Sequence, residues 1–115
     1  VKESERDLDL LTYIDESVAL IVEYTGEGPQ RFRQESMIQD AVLRRLETLA
    51  DATRELSNEL TRRHPEVPWR EIYGFRNVAA HNYRNLDTGQ IWTIVQDYLP
   101  ALRSVVLEEL SRFSS

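Results

Sequence analysis

The spacing of its apolar residues restricts this chain more than any other feature, because it is helical almost throughout. Val42, Leu46, Leu49, Thr53, Leu56 and Leu60 recur at intervals of four and three, the repeat that lines one face of an α-helix. This predicts one long helix whose other face is rich in Arg and Glu, including Arg44, Arg45, Glu47, Glu55 and Glu59. Arg62, Arg63, His64 and Pro65 close it: cations suit the negative end of a helix dipole, and proline cannot continue the ladder. Upstream, Leu8, Leu11, Ile14, Val18 and Ile21 form a second stripe, ended by Gly26, Gly28 and Pro29. Downstream, Pro68 pre-sets a third helix from about Trp69 to near Asn82, and residues 82–85 read as a loop. Asp87 with Gln90 resembles a capping box for a last helix carrying Ile91, Val95, Tyr98, Leu102, Val105 and Leu110. Pro100 lies inside that stripe and should kink or split the helix near Asp97 to Leu99. No segment alternates with period two. The expectation is an all-α, antiparallel bundle of four to five helices with a kinked last helix, a single domain over residues 1–115.

Composition narrows the function classes. With no cysteine, disulfides and thiolate metal sites are excluded, which suits a reducing cytoplasm. The longest apolar run, Val18 to Val22, falls far short of the roughly 20 residues of a membrane span. A cytoplasmic protein without membrane partners is expected. The net charge of −6 argues against a general nucleic-acid coat protein, which must neutralise phosphates. Its distribution says more. Residues 1–29 carry two basic and eight acidic side chains, whereas residues 62–84 carry five arginines against Glu66 and Glu71.

That basic segment holds a dense polar set: Arg76, Asn77, His81 and Tyr83, just after Gly74. On a regular helix Asn77 and His81 share a face, and Arg76 and Tyr83 nearly eclipse each other. Arg76 and His81 diverge by about 140° unless the helix ends or loosens at His81. The set has one imidazole and no carboxylate between Glu71 and Asp87, which does not suit a hydrolytic metal site. It lacks the Ser or Cys of a nucleophilic triad. It does suit RNA cleavage without a metal or other cofactor. The 2′-hydroxyl is then the nucleophile, a histidine moves protons, and an arginine fork stabilises the phosphate.

The stretch Pro68-Trp69-Arg70-Glu71-Ile72-Tyr73-Gly74-Phe75-Arg76-Asn77, with His81-Asn82-Tyr83, closely resembles HepT-like toxins of the HEPN superfamily. So do Gln39 to Glu47 and Ile91 to Pro100, and the resemblance covers roughly residues 8–110. It implies a helical homodimer whose Arg-x4-His motifs face one shared cleft. By position, Arg76 and His81 would be the catalytic pair and Asn77 the polar residue beside the arginine. Tyr83 would be the tyrosine that a partner antitoxin, a minimal nucleotidyltransferase, adenylylates to silence the toxin. The function so implied is the toxin of a type VII-like toxin–antitoxin system, a metal-independent endoribonuclease acting on RNA. The alternative is a non-catalytic helical module holding a nucleotide or substrate for a nucleotidyltransferase partner.

Dimerisation also has a local rationale. One chain supplies one motif histidine, whereas in-line cleavage profits from a base on the 2′-oxygen and an acid on the 5′-oxygen. A two-fold dimer would supply two copies of His81, with Gly74 allowing close approach. Elsewhere, His64 is expected to be an exposed helix-end cation. Trp69 and Trp92 are expected to be packing residues, and Arg44 and Arg45 a solvated face.

Overall fold

The computed structural model describes residues 3–114. Its helices are α1 (Glu3–Tyr24), α2 (Pro29–Gln34), α3 (Ser36–Glu55), α4 (Asn58–Arg62), α5 (Trp69–Asn82), α6 (Thr88–Asp97) and α7 (Leu99–Ser114). No strand occurs among the described residues, and none of their helices is long and apolar enough to cross a membrane. The architecture is the all-α bundle that the spacing predicts. Leu11, Ile14, Val18 and Ile21 of α1, Val42, Leu46 and Leu49 of α3, and Ile72, Phe75 and Ala79 of α5 are buried in one core with Ile91, Val95, Leu102 and Val106. Each fully buried Leu or Ile contributes about 1.5–3 kcal/mol relative to exposure. The first helix runs antiparallel to α3 and to α7. Arg6 and Asp7 at the start of α1 meet Glu55 and Ser57 at the end of α3, and Arg103 of α7 reaches back to Asp15 of α1.

The last helix divides as Pro100 requires. The break falls at Tyr98, and Pro100 sits in the first turn of α7, where its missing N–H is no loss. Of the capping box at α6, only half forms. Asp87 Oδ1 accepts from the backbone N–H of Gln90 at 3.0 Å, but the Gln90 side chain turns to Asn82 instead of to Asp87.

The structure departs from the sequence reading at three points, two of them corrections and one an added short helix. The long second helix is two helices, interrupted at Leu56 and Ser57. Leu56 is extended (ψ 146°) yet buried, so the apolar stripe continues while the backbone does not. The cause lies on α1, where the buried Asp7 carboxylate accepts from Ser57 N–H at 2.9 Å and Ser57 Oγ at 2.6 Å. Ser57 Oγ in turn accepts from Leu60 N–H and caps α4, a contribution of about 1 kcal/mol. Second, α2 follows the Gly-Pro segment. Gly28 supplies the left-handed turn (φ 98°), Pro29 starts the helix, and buried Phe32 anchors it against Trp92. Third, His64 is buried, not an exposed cation. Its Nε2 meets the carboxylate of Glu109, which also receives Arg63 Nη2 at 2.8 Å. Glu109 lies on α7, 45 residues away, so nothing near His64 in the chain signals the contact. Trp69 is a packing residue as expected, its indole N–H donating to the carbonyls of Thr61 and His64.

Candidate active site

The polar set hangs on α5, which runs antiparallel to α3. Arg54 and Asn58 share a cleft with Arg70 and Tyr73, Asp51 pairs with Arg76, and the fields of Asp40, Arg44 and Glu47 act on Tyr83. Rising numbers on one helix thus meet falling numbers on the other. Facing α5, the α3 surface carries a polar stripe of Arg44, Glu47, Asp51 and Arg54 beside its apolar one, and Asn58 at the start of α4 continues it.

Arg76 is half-exposed, and its Nε lies 2.9 Å from Asp51 Oδ1. The two terminal nitrogens of its fork make no protein hydrogen bond among the described residues. An ion pair this exposed contributes about 0–1 kcal/mol, so Asp51 orients the guanidinium without closing it to an anion. His81 occupies the last turn of α5, is exposed, and makes no side-chain hydrogen bond or ion pair among the described residues. Asn77 is exposed one turn earlier. Because α5 stays helical through Asn82, the loosening that would bring Arg76 and His81 together does not occur at His81. Within one chain they remain about 140° apart around the axis. Arg76 faces α3, while Asn77 and His81 project on the adjoining face.

Tyr83 is the C-cap of α5 and is 47% exposed. Partial burial pushes its hydroxyl above the usual tyrosine value. Glu47 and Asp40 push the same way, and Arg44 opposes them. Its phenol is therefore neutral near pH 7 and borders the acidic and basic groups of α3.

What holds this end of α5 is Asn82, the buried residue between His81 and Tyr83. Its Nδ2 donates to Val78 O at 2.8 Å and to Gln90 Oε1 at 3.0 Å. Its Oδ1 accepts from Asp87 N–H at 2.6 Å. The side chain thus locks the helix end, the following turn and α6 together. Sequence reasoning treated Asn82 as the start of a loop and missed Asp51 altogether. The spacing of the polar stripe on α3 was the available signal for Asp51; nothing local reveals the partners of Asn82. At Gly74, no atom of the described residues outside its own helix backbone comes within 4 Å of the place a Cβ would occupy. No group of three or more His, Asp or Glu side chains among the described residues is placed to hold a metal ion.

The family described as Ribonuclease HepT-like matches residues 14–109. The chain belongs to the HepT-like ribonuclease family. Among its relatives, "Putative RNase MJ1380" of Methanocaldococcus jannaschii is 34% identical over 105 residues, covering 90% of this chain and 96% of that protein. "Probable ribonuclease HepT" of Thermococcus cleftensis is 35% identical over 96 residues, covering 83% of this chain and 87% of that one. No solved structure matches the chain significantly. The matched span of this HepT-like chain includes all of α3, α5 and α6, the elements that carry and brace the polar set.

Proposed function

We propose that this HepT-like chain is a metal-independent endoribonuclease whose catalytic groups are Arg76 and His81, with Asn77 in support. The observation that carries the reading is the state of these groups. The Arg76 fork is oriented through Nε by Asp51, its terminal nitrogens making no protein hydrogen bond among the described residues, and the His81 imidazole is exposed with no hydrogen-bond or ion-pair partner among them. A phosphate can take the fork bidentately, and the imidazole can take or give a proton.

The reaction balances without a further reagent. The RNA 2′-oxygen attacks the adjacent phosphorus while its proton passes to one imidazole. The P–O5′ bond breaks, and the leaving 5′-oxygen takes a proton from a second imidazole. The products are a 2′,3′-cyclic phosphate and a 5′-hydroxyl. One chain has one motif histidine, and Arg76 and His81 diverge around α5. A two-fold homodimer overcomes both difficulties, since two copies of α5 facing one cleft supply two imidazoles and two guanidinium forks. Arg76 stabilises the charge on the pentacoordinate phosphate.

Regulation belongs to the same reading: the chain is the toxin of a toxin–antitoxin pair, silenced by a nucleotidyltransferase at Tyr83. The Tyr83 oxygen attacks the α-phosphorus of ATP and pyrophosphate leaves. Because this hydroxyl is held above the usual tyrosine value, the transferase must supply the base that takes its proton. The bound adenylyl phosphate lies on the Arg76 side of α5, where it can occupy the fork and repel RNA.

The test is cleavage of single-stranded RNA in excess chelator, with analysis of the product ends. Undiminished cleavage giving cyclic phosphate ends is expected; cleavage that vanishes in chelator and returns with magnesium would refute the mechanism. Tyr83→Phe should keep its cleavage yet gain no adenylyl-sized mass from a nucleotidyltransferase partner and ATP. Mass gain equal to the parent's places the modification elsewhere.

A further inference from the structure

Between the C-terminal half of α3, the start of α4 and the first half of α5 lies a cleft of about 560 Å³, lined by Arg54, Asn58, Arg70, Tyr73, Gly74 and Asn77. Its lining has no carboxylate, in a chain of net charge −6. Neither Arg54 nor Arg70 has an ion-pair partner among the described residues. The carboxylates nearest them in the chain are already engaged: Asp51 by Arg76, Glu55 by Arg6, and Glu71 by the Tyr98 hydroxyl. Two guanidinium groups are thus left facing a polar cavity with nothing to neutralise them. An anion is what such a cleft is built to receive.

Its place identifies the anion. Asn77 belongs both to the cleft lining and to the polar set described above. Arg70 lies six residues before Arg76, about 9 Å along the helix axis and about 120° around it. That distance corresponds to two or three stacked nucleotides at about 3.4 Å each. Gly74 keeps the floor open, since no side chain or neighbouring backbone of the described residues stands within 4 Å of the place a Cβ would take. The half-buried ring of Tyr73 stands in the wall, and the field of Arg54 acts on its hydroxyl. An aromatic wall beside two guanidinium groups can stack a base while its phosphate is gripped.

We infer that this cleft is a strand-binding subsite, in which Arg54 and Arg70 hold a phosphodiester of single-stranded RNA flanking the scissile one and Tyr73 stacks the base beside it. The inference rests on the ribonuclease reading of Arg76 and His81, but it assigns different residues to a different step. Arg54 and Arg70 touch no reacting atom, so they govern how longer strands bind, not how fast a bound phosphodiester breaks.

The experiment compares the parent chain with Arg54→Gln/Arg70→Gln on two substrates, a dinucleotide with a single phosphodiester and a twelve-nucleotide single strand. Both positions are exposed, so the variant should fold as the parent does. On the longer strand the variant should raise KM about tenfold and lower the salt dependence of binding by about 0.7 log units per decade, the loss of one phosphate contact. Its kcat/KM on the dinucleotide should match the parent's, and Arg54→Lys/Arg70→Lys should recover most of the loss on the longer strand. A parent that cleaves both substrates and a Gln variant indistinguishable from it on the longer strand would overturn the subsite while leaving the nuclease reading intact. Equal losses on both substrates would place the two arginines at the reacting phosphate and overturn it too. Adenosine monophosphate binding weakened as much as the longer strand would assign the cleft to a free nucleotide instead. A parent that cleaves neither substrate takes down the nuclease reading and the subsite together.

Discussion

Two clusters in this molecule are built from the same three side-chain types, an arginine, a histidine and a carboxylate, and they end in opposite states. Arg63, His64 and Glu109 converge where α4 meets α7, with the carboxylate 1% and the imidazole 8% exposed. Every strong acceptor on Glu109 is occupied: Oε1 by Arg63, Oε2 by His64 and Arg63. Arg76, His81 and Asp51 lie on the surface of α5 and α3. There the carboxylate's closest contact is the guanidinium Nε, and the imidazole has no hydrogen-bond or ion-pair partner among the described residues. Saturation and burial make the first cluster a structural joint that a substrate cannot enter. Incomplete pairing at the surface makes the second a place where an anion and a proton can be exchanged. The residue types are the same; what differs is whether any valence is left over.

The sharpest way to break the comparison is to remove each histidine. His81→Ala should lower RNA cleavage by about 10²–10⁴-fold, the range of a lost general acid–base group. It should leave the melting temperature within a degree or two, because no packing or hydrogen bond is lost. His64→Ala should do the reverse, with a clear fall in melting temperature and parent-like cleavage per folded molecule. Thermal melts and single-turnover assays on the two variants decide it; a folded, fully active His81→Ala protein would end the catalytic assignment.

Next in size is the buried carboxylate. Burial alone would push Glu109 up, but hydrogen bonds from Arg63 and His64 more than reverse this and hold it below its ordinary value of 4.5. A carboxyl depressed on folding stabilises above that value and loses its contribution as pH falls through the range below it. Glu109→Gln should therefore cost about 3 kcal/mol near neutrality, as expected when one partner of a buried ion pair is removed. The gap between parent and variant should narrow as pH drops below 4.5. Urea unfolding at a series of pH values measures it, and a gap that widens with acid would reverse the sign assigned here.

The smallest effect separates orientation from chemistry. Asp51→Asn keeps the shape beside Arg76 and removes the charge. It should lower kcat about two- to fivefold, the scale of an exposed ion pair, with stability unchanged. Arg76→Ala should cost far more, since it removes the fork itself. An Asp51→Asn protein as crippled as Arg76→Ala would mean that Asp51 touches the reacting groups and is more than a brace.

Helices are legible in a sequence because their stripes are set by residues three and four apart, so α1, α3, α5 and the α6–α7 kink could be read from spacing and from Pro100. The polar set of Arg76, Asn77, His81 and Tyr83 was visible for the same reason, being compressed into two turns of one helix. α2 was harder, since six residues with a single buried Phe32 are too short to show a period.

Local spacing thus determined the all-helical class, the faces turned to the core and the identity of the polar set on α5. Only the tertiary structure decided where the second helix breaks, because that depends on Asp7 reaching Ser57 across 50 residues. It likewise decided that His64 is buried against Glu109, that Asp51 braces Arg76 and that Arg54 and Arg70 line one cleft. Each of these is a pairing of polar groups from separate helices. Such pairs carry no periodicity along the chain, and a charged side chain reads the same in sequence whether it ends in solvent or against its opposite. Burial and distance, which make that distinction, exist only once α3 and α7 have packed on α1, and α5 on α3.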